Sequence, residues 1–307
     1  MSLLEKERED NMSSLYKKNK KFYLLLILPA LLLYSFAMLA PLFGGTIPYS
    51  FLKWNLMSGK KAFVGFDNYV KLFSDTKFWT SFGFNLFVGA FTIIGSNVFG
   101  FILAYFLNEN IKAKGVVRAM FFIPNIVSAV LVSFIWVFIF TNAMPALGGA
   151  LGWDWLADRQ KGRFGTPSMA TVTIIVVSIW QNIGFLMIIY TAGLQTIPKD
   201  VMESAELDGC SGLKKVLKIE LPLLMPTVTI NLFVSISGAF KSFDIPNAMT
   251  GGGPYGSTMP VAMNIYQEAF TKYNLGYGSA KSVILFLTVA AVTLIQLYCT
   301  RKKEVEY

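Results

Sequence analysis

The 307-residue chain contains no histidine, and only 15% of its residues are charged. The lack of histidine removes the commonest metal ligand and the usual acid–base catalyst at neutral pH. The sequence also contains no GxxxxGK[ST] phosphate-binding loop, so it has no P-loop with which to use ATP. We therefore expect no metal site, no catalytic residues and no cofactor in this chain.

Apolar residues are abundant instead: they make up 54% of the chain, and the mean hydropathy is +0.53. This composition does not describe a soluble domain, and segments of about 20 apolar residues are long enough to cross a bilayer as helices. We predict an all-α polytopic membrane protein with six spans. They lie at about 22–43, 82–107, 119–141, 168–190, 223–245 and 280–299 within a transmembrane domain 22–300, between a leader 1–21 and a tail 301–307.

Basic residues predict the orientation of these spans. With six spans, the leader, the 108–118 loop, the 191–222 loop and the tail share one side, and they hold 16 of the 27 Lys and Arg residues. The opposite loops hold 9 in longer stretches, so the positive-inside rule places both termini in the cytoplasm of a plasma-membrane protein. The net charge of +9 then reflects topology, not a nucleic-acid site. Cys210 and Cys299 both fall on this side, where we expect no disulfide.

The outer loops differ in character. In the first loop, Phe66, Tyr69, Val70, Phe73 and Phe78 predict an apolar face lying along the membrane surface. The second loop carries Arg159, Lys161 and Arg163. The third opens with Thr250-Gly-Gly-Gly-Pro254, which favours a tight loop or a flexible connector.

Polar residues inside the spans either join helices or line a wet path. Thr227, Asn231 and Ser235 recur every four residues in the fifth span, although hydroxyls commonly bond to their own helix backbone. Lys241 and Asp244, three residues apart, are predicted to form an ion pair. Amide groups beside aromatic rings suit a neutral polyhydroxylated solute. The predicted solute-path residues are Gln181, Asn182, Asn231, Ser235, Lys241 and Asp244.

The stretch from Ile197 to Pro226 predicts two short helices joined by a turn. Pro198 suits a first helical turn, Gly209 suits the position after a helix end, and Ser211 can cap a second helix that Pro222 ends. That second helix carries Leu213, Val216, Leu217 and Leu221 on one face. From this helical pattern alone, a solvated loop and a docking element remain equally open.

The same stretch resembles the "EAA" loop of permease subunits of bacterial ABC importers. That motif reads EAA-x3-G-x9-I-x-LP, and here Glu203, Ser204, Ala205, Gly209, Ile219, Leu221 and Pro222 match its spacing, with Asp208 directly before the glycine and Ser204 in place of Ala. Three further stretches are similar to the carbohydrate-uptake branch of these permeases: GFLMIIYTAGLQTIP, SFDIPNAMTGGGP and VGFDNYVKLFSD. The resemblance covers about Phe63 to Thr300.

This resemblance implies a type I ABC importer permease fold in its minimal six-span form. It further implies a heterodimer with a second permease and a dimer of ABC ATPases that binds ATP and Mg²⁺. An extracellular sugar-binding protein would deliver the solute, and the 197–222 loop would dock on the ATPase. The expected function is import of an oligosaccharide or related sugar by alternating access.

Three other functions stay open at this point. The same machinery could import glycerol phosphate or an anionic sugar, since Lys241 is the basic residue best placed inside a span. A membrane enzyme is disfavoured because Asp154, Asp158 and Asp244 lack metal-ligand spacing. A channel or scaffold would have no use for an EAA-like loop.

Overall fold

The computed structural model describes residues 22, 25–108, 112–154 and 164–304. The predicted leader 1–21 lies outside the described residues, as do Asp158, Arg159, Lys161 and Arg163 of the second loop and the last three residues of the tail. In the described part, a two-stranded antiparallel hairpin, β1 (Leu52–Trp54) and β2 (Lys61–Phe63), accompanies a helical framework. The helices are α1 (Leu25–Ser50), α2 (Asp67–Phe73), α3 (Thr76–Asn108), α4 (Lys114–Ile126), α5 (Ala129–Leu151), α6 (Pro167–Thr196), α7 (Lys199–Leu207), α8 (Gly212–Leu223), α9 (Met225–Phe240), α10 (Asp244–Thr250), α11 (Val261–Tyr266) with a further turn Gln267–Thr271, and α12 (Leu275–Arg301).

Five of the described helices, α1, α3, α5, α6 and α12, are long and apolar enough to cross a membrane. The bent pair α8 and α9 makes a sixth candidate if it is counted as one span. The all-α polytopic fold predicted from the apolar segments is confirmed.

The third apolar segment is interrupted. Helix α4 ends at Ile126, and Val127 and Ser128 adopt extended backbone angles before α5 begins. Two features favour the break. Pro124 lies in the last turn of α4 and supplies no backbone N–H. The amide of Gln181, from helix α6, donates to the Val127 carbonyl oxygen at 3.4 Å. The segment therefore enters the bundle as two helices, and α5 continues as far as Leu151.

The prediction that Pro222 ends the second short helix is wrong. The chain stays helical from Gly212 through Leu223, because Pro222 lies early in its own helical turn, where its missing N–H costs little. The chain turns instead at Leu224, where α8 and α9 meet at 75°. Pro198 precedes α7 in an extended conformation, outside the first helical turn proposed for it.

Helices α3 and α6 form the most extensive helix pair and run in the same direction. Small residues permit close approach along α6: a side chain at Gly184 would collide with the Phe121 backbone of α4, and one at Gly193 would collide with Thr227 of α9. Apolar clusters fill the two ends of this pair. One of them contains Ala104, Leu107, Leu186, Met187, Tyr190, Leu194, Ile197 and Leu224, beside α7.

The apolar face predicted in the first outer loop is only partly present. Phe66, Val70 and Phe73 are exposed along α2, as expected for one face of a short helix. Phe78 is completely buried in a cluster with Leu72, because it begins the long helix α3 and packs inward. Phe78 therefore does not belong to the exposed face.

Candidate coupling helix and solute cavity

Helix α7 ends in a left-handed turn at Gly209, as the sequence predicts. Gly209 has a φ of +73°, its N–H donates to the Glu206 carbonyl at 3.0 Å, and the Cys210 N–H donates to the Ala205 carbonyl at 2.9 Å. These two bonds form the Schellman arrangement, which needs a residue that tolerates positive φ. A Cβ at Gly209 would meet no atom within 4 Å, so the glycine is required for its backbone angle and not for space.

An unusual set of side chains is exposed on α7 and α8. Leu207 is 89% exposed and Leu213 is 72% exposed, with Leu217 also open to the surface. Glu203 and Asp208 are exposed beside them. We call Glu203, Leu207, Asp208, Leu213 and Leu217 the coupling surface. Exposed leucines next to carboxylates are typical of a surface that binds another protein.

The opposite side of α7 is tied to the membrane helices. Ala205 is buried, and Met202 packs against the apolar cluster between α3 and α6. Lys215 on α8 forms an ion pair with Glu206 on α7 at 2.8 Å, which joins the two short helices. Movement of α7 would therefore displace α8 and, through it, the first turn of α9. The motif residues Ile219, Leu221 and Pro222 lie half-buried in the last turns of α8, next to the start of α9.

The remaining predicted features of this loop agree in part. Ser204 is exposed, and its hydroxyl donates to the Asp200 carbonyl at 2.8 Å. Ser211 occupies the N-cap position of α8, but its side chain makes no capping hydrogen bond. Val216 is buried while Leu213 and Leu217 are exposed, so the apolar residues of α8 are divided between the buried and the exposed side of the helix.

A cavity of about 240 Å³ lies inside the bundle, in the half opposite α7. Its wall comes from the first half of α3, the middle of α6, the end of α9 and the segment after it. Phe84, Phe185 and Phe243 supply aromatic surface to this wall, while Asn182 and Ser235 supply amide and hydroxyl groups. Among the described residues, Lys241 and Asp244 are the only charged ones on it, so the described part of the wall has no net charge.

Four of the six predicted solute-path residues line this cavity: Asn182, Ser235, Lys241 and Asp244. The other two lie off the wall and bond to neighbouring helices. Gln181 is buried against the Val127 carbonyl of the broken third segment. Asn231 is completely buried, and its amide donates to the Leu186 carbonyl of α6 at 3.4 Å. In this conformation both amides join helices.

The predicted ion pair between Lys241 and Asp244 is absent. No ion pair within 4.0 Å joins these residues, since α9 ends at Phe240 and the three-residue spacing is no longer helical. Both side chains are exposed on the cavity wall. The two charges are therefore available to a solute.

Asn97, a polar residue within the second apolar segment, is the centre of a network at the inner edge of the cavity whose partners the sequence does not predict. The Asn97 amide donates to the Ser235 hydroxyl at 3.1 Å, and the Tyr190 hydroxyl donates to Asn97 Oδ1 at 2.9 Å. These bonds connect α3, α6 and α9 and hold Ser235 in place on the wall. The polar residue Asn97 within an apolar segment was the available signal.

A buried charge cluster at the outer end of α12 was also missed. Lys281 is 1% exposed, and its ammonium lies 2.9 Å from Asp75 Oδ2 and 3.4 Å from Glu268 Oε2. Burial tends to raise the pKa of Asp75, but hydrogen bonds from Lys281, Tyr277 and the Phe78 N–H outweigh it and hold this pKa at about 2. For Glu268, burial likewise opposes ionisation, and the bonds from Lys272 and Asn274 lower its pKa overall. The cluster joins the start of α3 and the end of α11 to α12.

The helical bundle thus has a cavity with polar and aromatic groups at one end and exposed leucines beside carboxylates at the other, an arrangement that suits a membrane transport subunit. The family model for binding-protein-dependent transport system inner membrane components matches residues 96–305, and the chain belongs to this family.

Named relatives extend the match over nearly the whole chain. The probable starch degradation products transport system permease protein AmyD of Thermoanaerobacterium thermosulfurigenes is 35% identical, over 94% of this chain and 97% of that protein. The multiple sugar-binding transport system permease protein MsmF of Streptococcus mutans is also 35% identical, over 86% of this chain and 90% of that protein. The crystal structure of a bacterial alginate ABC transporter, in complex with alginate pentasaccharide-bound periplasmic protein, contains a chain of the same fold. Its TM-score is 0.76 at 22% identity, covering 94% of this chain and 97% of that one.

Proposed function

We propose that this chain is the permease subunit of an ATP-driven importer that carries an oligosaccharide or related sugar. The observation that carries the proposal is the cavity: its described wall combines three phenylalanine rings with amide and hydroxyl groups and has no net charge. Flat aromatic faces pack on the apolar side of sugar rings, while amides exchange hydrogen bonds with hydroxyl groups. The names of the similar permeases AmyD and MsmF support the same class of solute.

The coupling surface supports a partner ATPase. Exposed leucines are unfavourable on a side that faces water unless another protein covers them. The chain also lacks a P-loop of its own, so the ATPase site must belong to a partner. An ATPase dimer that closes on ATP would draw α7 inward, and the contacts of Met202 and Lys215 would pass this movement to α9. ATP and Mg²⁺ then belong to the ATPase, and a second permease of similar fold completes the pathway.

The charge distribution supports one orientation in the membrane. In this orientation α7 and both termini lie in the cytoplasm, and the cavity lies toward the outside of the cell. Cys299 is exposed near the cytoplasmic end of α12. An impermeant maleimide should label Cys299 in inverted vesicles and leave it unlabelled in intact cells, with Cys210→Ser as the background. The reverse labelling would contradict the orientation.

Reconstitution tests the transport function. The chain, its partner permease, the ATPase and the sugar-binding protein are assembled in liposomes, and ATP-dependent uptake of labelled neutral oligosaccharides is measured. Asn182→Leu should reduce uptake about tenfold, because it replaces a hydrogen-bonding amide on the cavity wall by an apolar group. Asn247→Leu is the matched control, since Asn247 is exposed on α10 away from the wall. Equal uptake by both variants would remove the cavity from the proposal.

A second candidate solute is glycerol phosphate or an anionic sugar. The observation that favours it is Lys241, whose ammonium forms no ion pair with another described residue and is exposed on the cavity wall. Asp244 on the same wall opposes it. Competition between neutral and phosphorylated sugars for uptake separates the two candidates, because an anionic cargo would be displaced mainly by the phosphorylated competitor.

A further inference from the structure

The tight loop between α10 and α11 presents one aromatic ring to solvent. Tyr255 is 99% exposed and forms no hydrogen bond or ring contact with another described residue. Its backbone φ is +57°, in the left-handed region that side chains with a Cβ disfavour. Neither its packing nor its backbone therefore explains a tyrosine at this position.

Glycine would suit the backbone better, and the loop already uses it freely. Gly251, Gly252 and Gly256 surround Tyr255, each with positive φ. A further glycine at residue 255 would relieve backbone strain without breaking a side-chain hydrogen bond or ring contact with a described residue. The strained tyrosine is the kind of outlier that marks a functional position.

The loop that carries this ring is well ordered internally. The hydroxyl groups of Thr250 and Thr258 lie 2.7 Å apart, and Thr258 is completely buried. The Thr258 N–H donates to the Gly252 carbonyl at 3.2 Å, and the Thr258 hydroxyl donates to the Gly253 carbonyl. A ring held on such a loop is preorganised, so little conformational entropy is lost when it binds.

The loop lies at the rim of the cavity. Helix α10 begins at Asp244, which is on the cavity wall, and the loop returns to the wall at Pro260. A body that contacts Tyr255 would therefore stand over the cavity, at the end of the bundle opposite the coupling surface. A protein that delivers solute to the cavity would stand at this position.

We infer that Tyr255 is a contact residue for the extracellular solute-binding protein, with its ring entering a pocket on that protein when solute is delivered. Tyrosine suits this role because it offers a large apolar surface and a terminal hydroxyl at low entropic cost. The inference rests on the proposed function and adds the residue that engages the delivering partner.

The test uses the reconstituted transporter with increasing concentrations of binding protein. Tyr255→Gly should raise the half-maximal concentration of binding protein for ATP hydrolysis about tenfold, as expected for loss of an interface hot spot. The maximal rate and the subunit composition of the purified complex should stay unchanged. Tyr255→Phe, which keeps the ring, should stay within about twofold of wild type.

Tyr273→Gly is the matched control, because Tyr273 is also an exposed tyrosine with positive φ, 60°, but outside this loop. It should leave the half-maximal concentration unchanged. Normal half-saturation by Tyr255→Gly would overturn the inference, and so would loss of the second permease from the complex, which would assign the ring to that subunit. A wild-type complex that binding protein fails to stimulate would overturn the proposed function itself.

Discussion

At the scale of single residues, Lys281 is a buried cation that pairs with two carboxylates. Its ammonium is buried between Asp75 and Glu268 and also donates to Asn264 Oδ1 at 2.8 Å. Lys281→Met would leave two partly buried carboxylates without this cation, so we expect the free energy of unfolding to fall by about 3–5 kcal/mol.

Lys272 provides the control for Lys281, because it contacts the same Glu268 oxygen at 2.7 Å but is 53% exposed. Lys272→Met should cost only about 0–1 kcal/mol. Thermal unfolding of the detergent-solubilised subunit measures both changes. Equal destabilisation by the two substitutions would show that burial of the Lys281 cluster has little energetic consequence.

The low pKa of Asp75 makes this cluster sensitive to acid. The pKa is about 2 in the folded chain, whereas an unfolded aspartate titrates near about 3.9. A carboxyl group with a depressed folded pKa stabilises the fold above its unfolded pKa, and the stabilisation is lost as pH falls through the folded value. The difference in unfolding temperature between wild type and Asp75→Asn should therefore be constant above about pH 5 and shrink toward pH 2.

Asp67→Asn serves as the reference for the acid experiment, because Asp67 is exposed and forms no ion pair among the described residues. The difference between Asp67→Asn and wild type gives the change measured for an exposed aspartate over the same range. A constant difference for Asp75→Asn down to pH 2 would contradict the arrangement of Lys281 and Tyr277 around this carboxyl group.

At the scale of elements, the turn after α7 sets the direction of the coupling helix. Gly209→Ala places a Cβ on a residue with φ of +73°, at a cost of about 1–2 kcal/mol in the turn. The turn can relieve this strain by rotating α7 relative to α8, so we expect severalfold less uptake for each ATP hydrolysed.

Gly59→Ala matches this substitution closely. Gly59 has a φ of +64° and, like Gly209, open space around its Cβ position, but it lies in the β1–β2 turn. It should introduce similar strain without changing the ratio of uptake to ATP hydrolysis. A lower ratio for both variants would point to general destabilisation instead of a role for α7.

The same turn shows which parts of the molecule can be predicted from sequence. The end of α7 depends on residues 205–210 alone, so local rules predict Gly209 correctly. The break at Val127 depends partly on Gln181, 54 residues away, and the cluster brings Asp75 to Lys281 from opposite parts of the chain. Single-sequence patterns contain no information on such pairings.

The residues of the solute cavity can be predicted from the sequence only in part. Polar residues in apolar segments mark Asn182 and Ser235 as candidates, and both line the cavity. Gln181 and Asn231 give the same signal but bond to neighbouring backbones in this conformation. The sequence cannot distinguish the two kinds of amide. An amide that joins helices and an amide that faces a solute are the same side chain, and they differ only in the direction in which they leave the helix.

At the scale of the whole molecule, the balance of charge in the cavity should control which solutes pass. Lys241 and Asp244 are both exposed on the wall, and neither forms an ion pair within the described part of the chain. Asp244→Asn would leave a net positive wall and should strengthen inhibition of uptake by a phosphorylated sugar about tenfold, equivalent to about 1.4 kcal/mol. Lys241→Gln should weaken that inhibition by a similar factor, while inhibition by a neutral sugar should change little in either variant.

The double substitution restores a neutral wall and should return the ratio of the two inhibition constants to near its wild-type value. If the ratio stays at wild type in both single variants, the charges do not face the solute, and selection by charge would have to occur before the solute reaches this subunit.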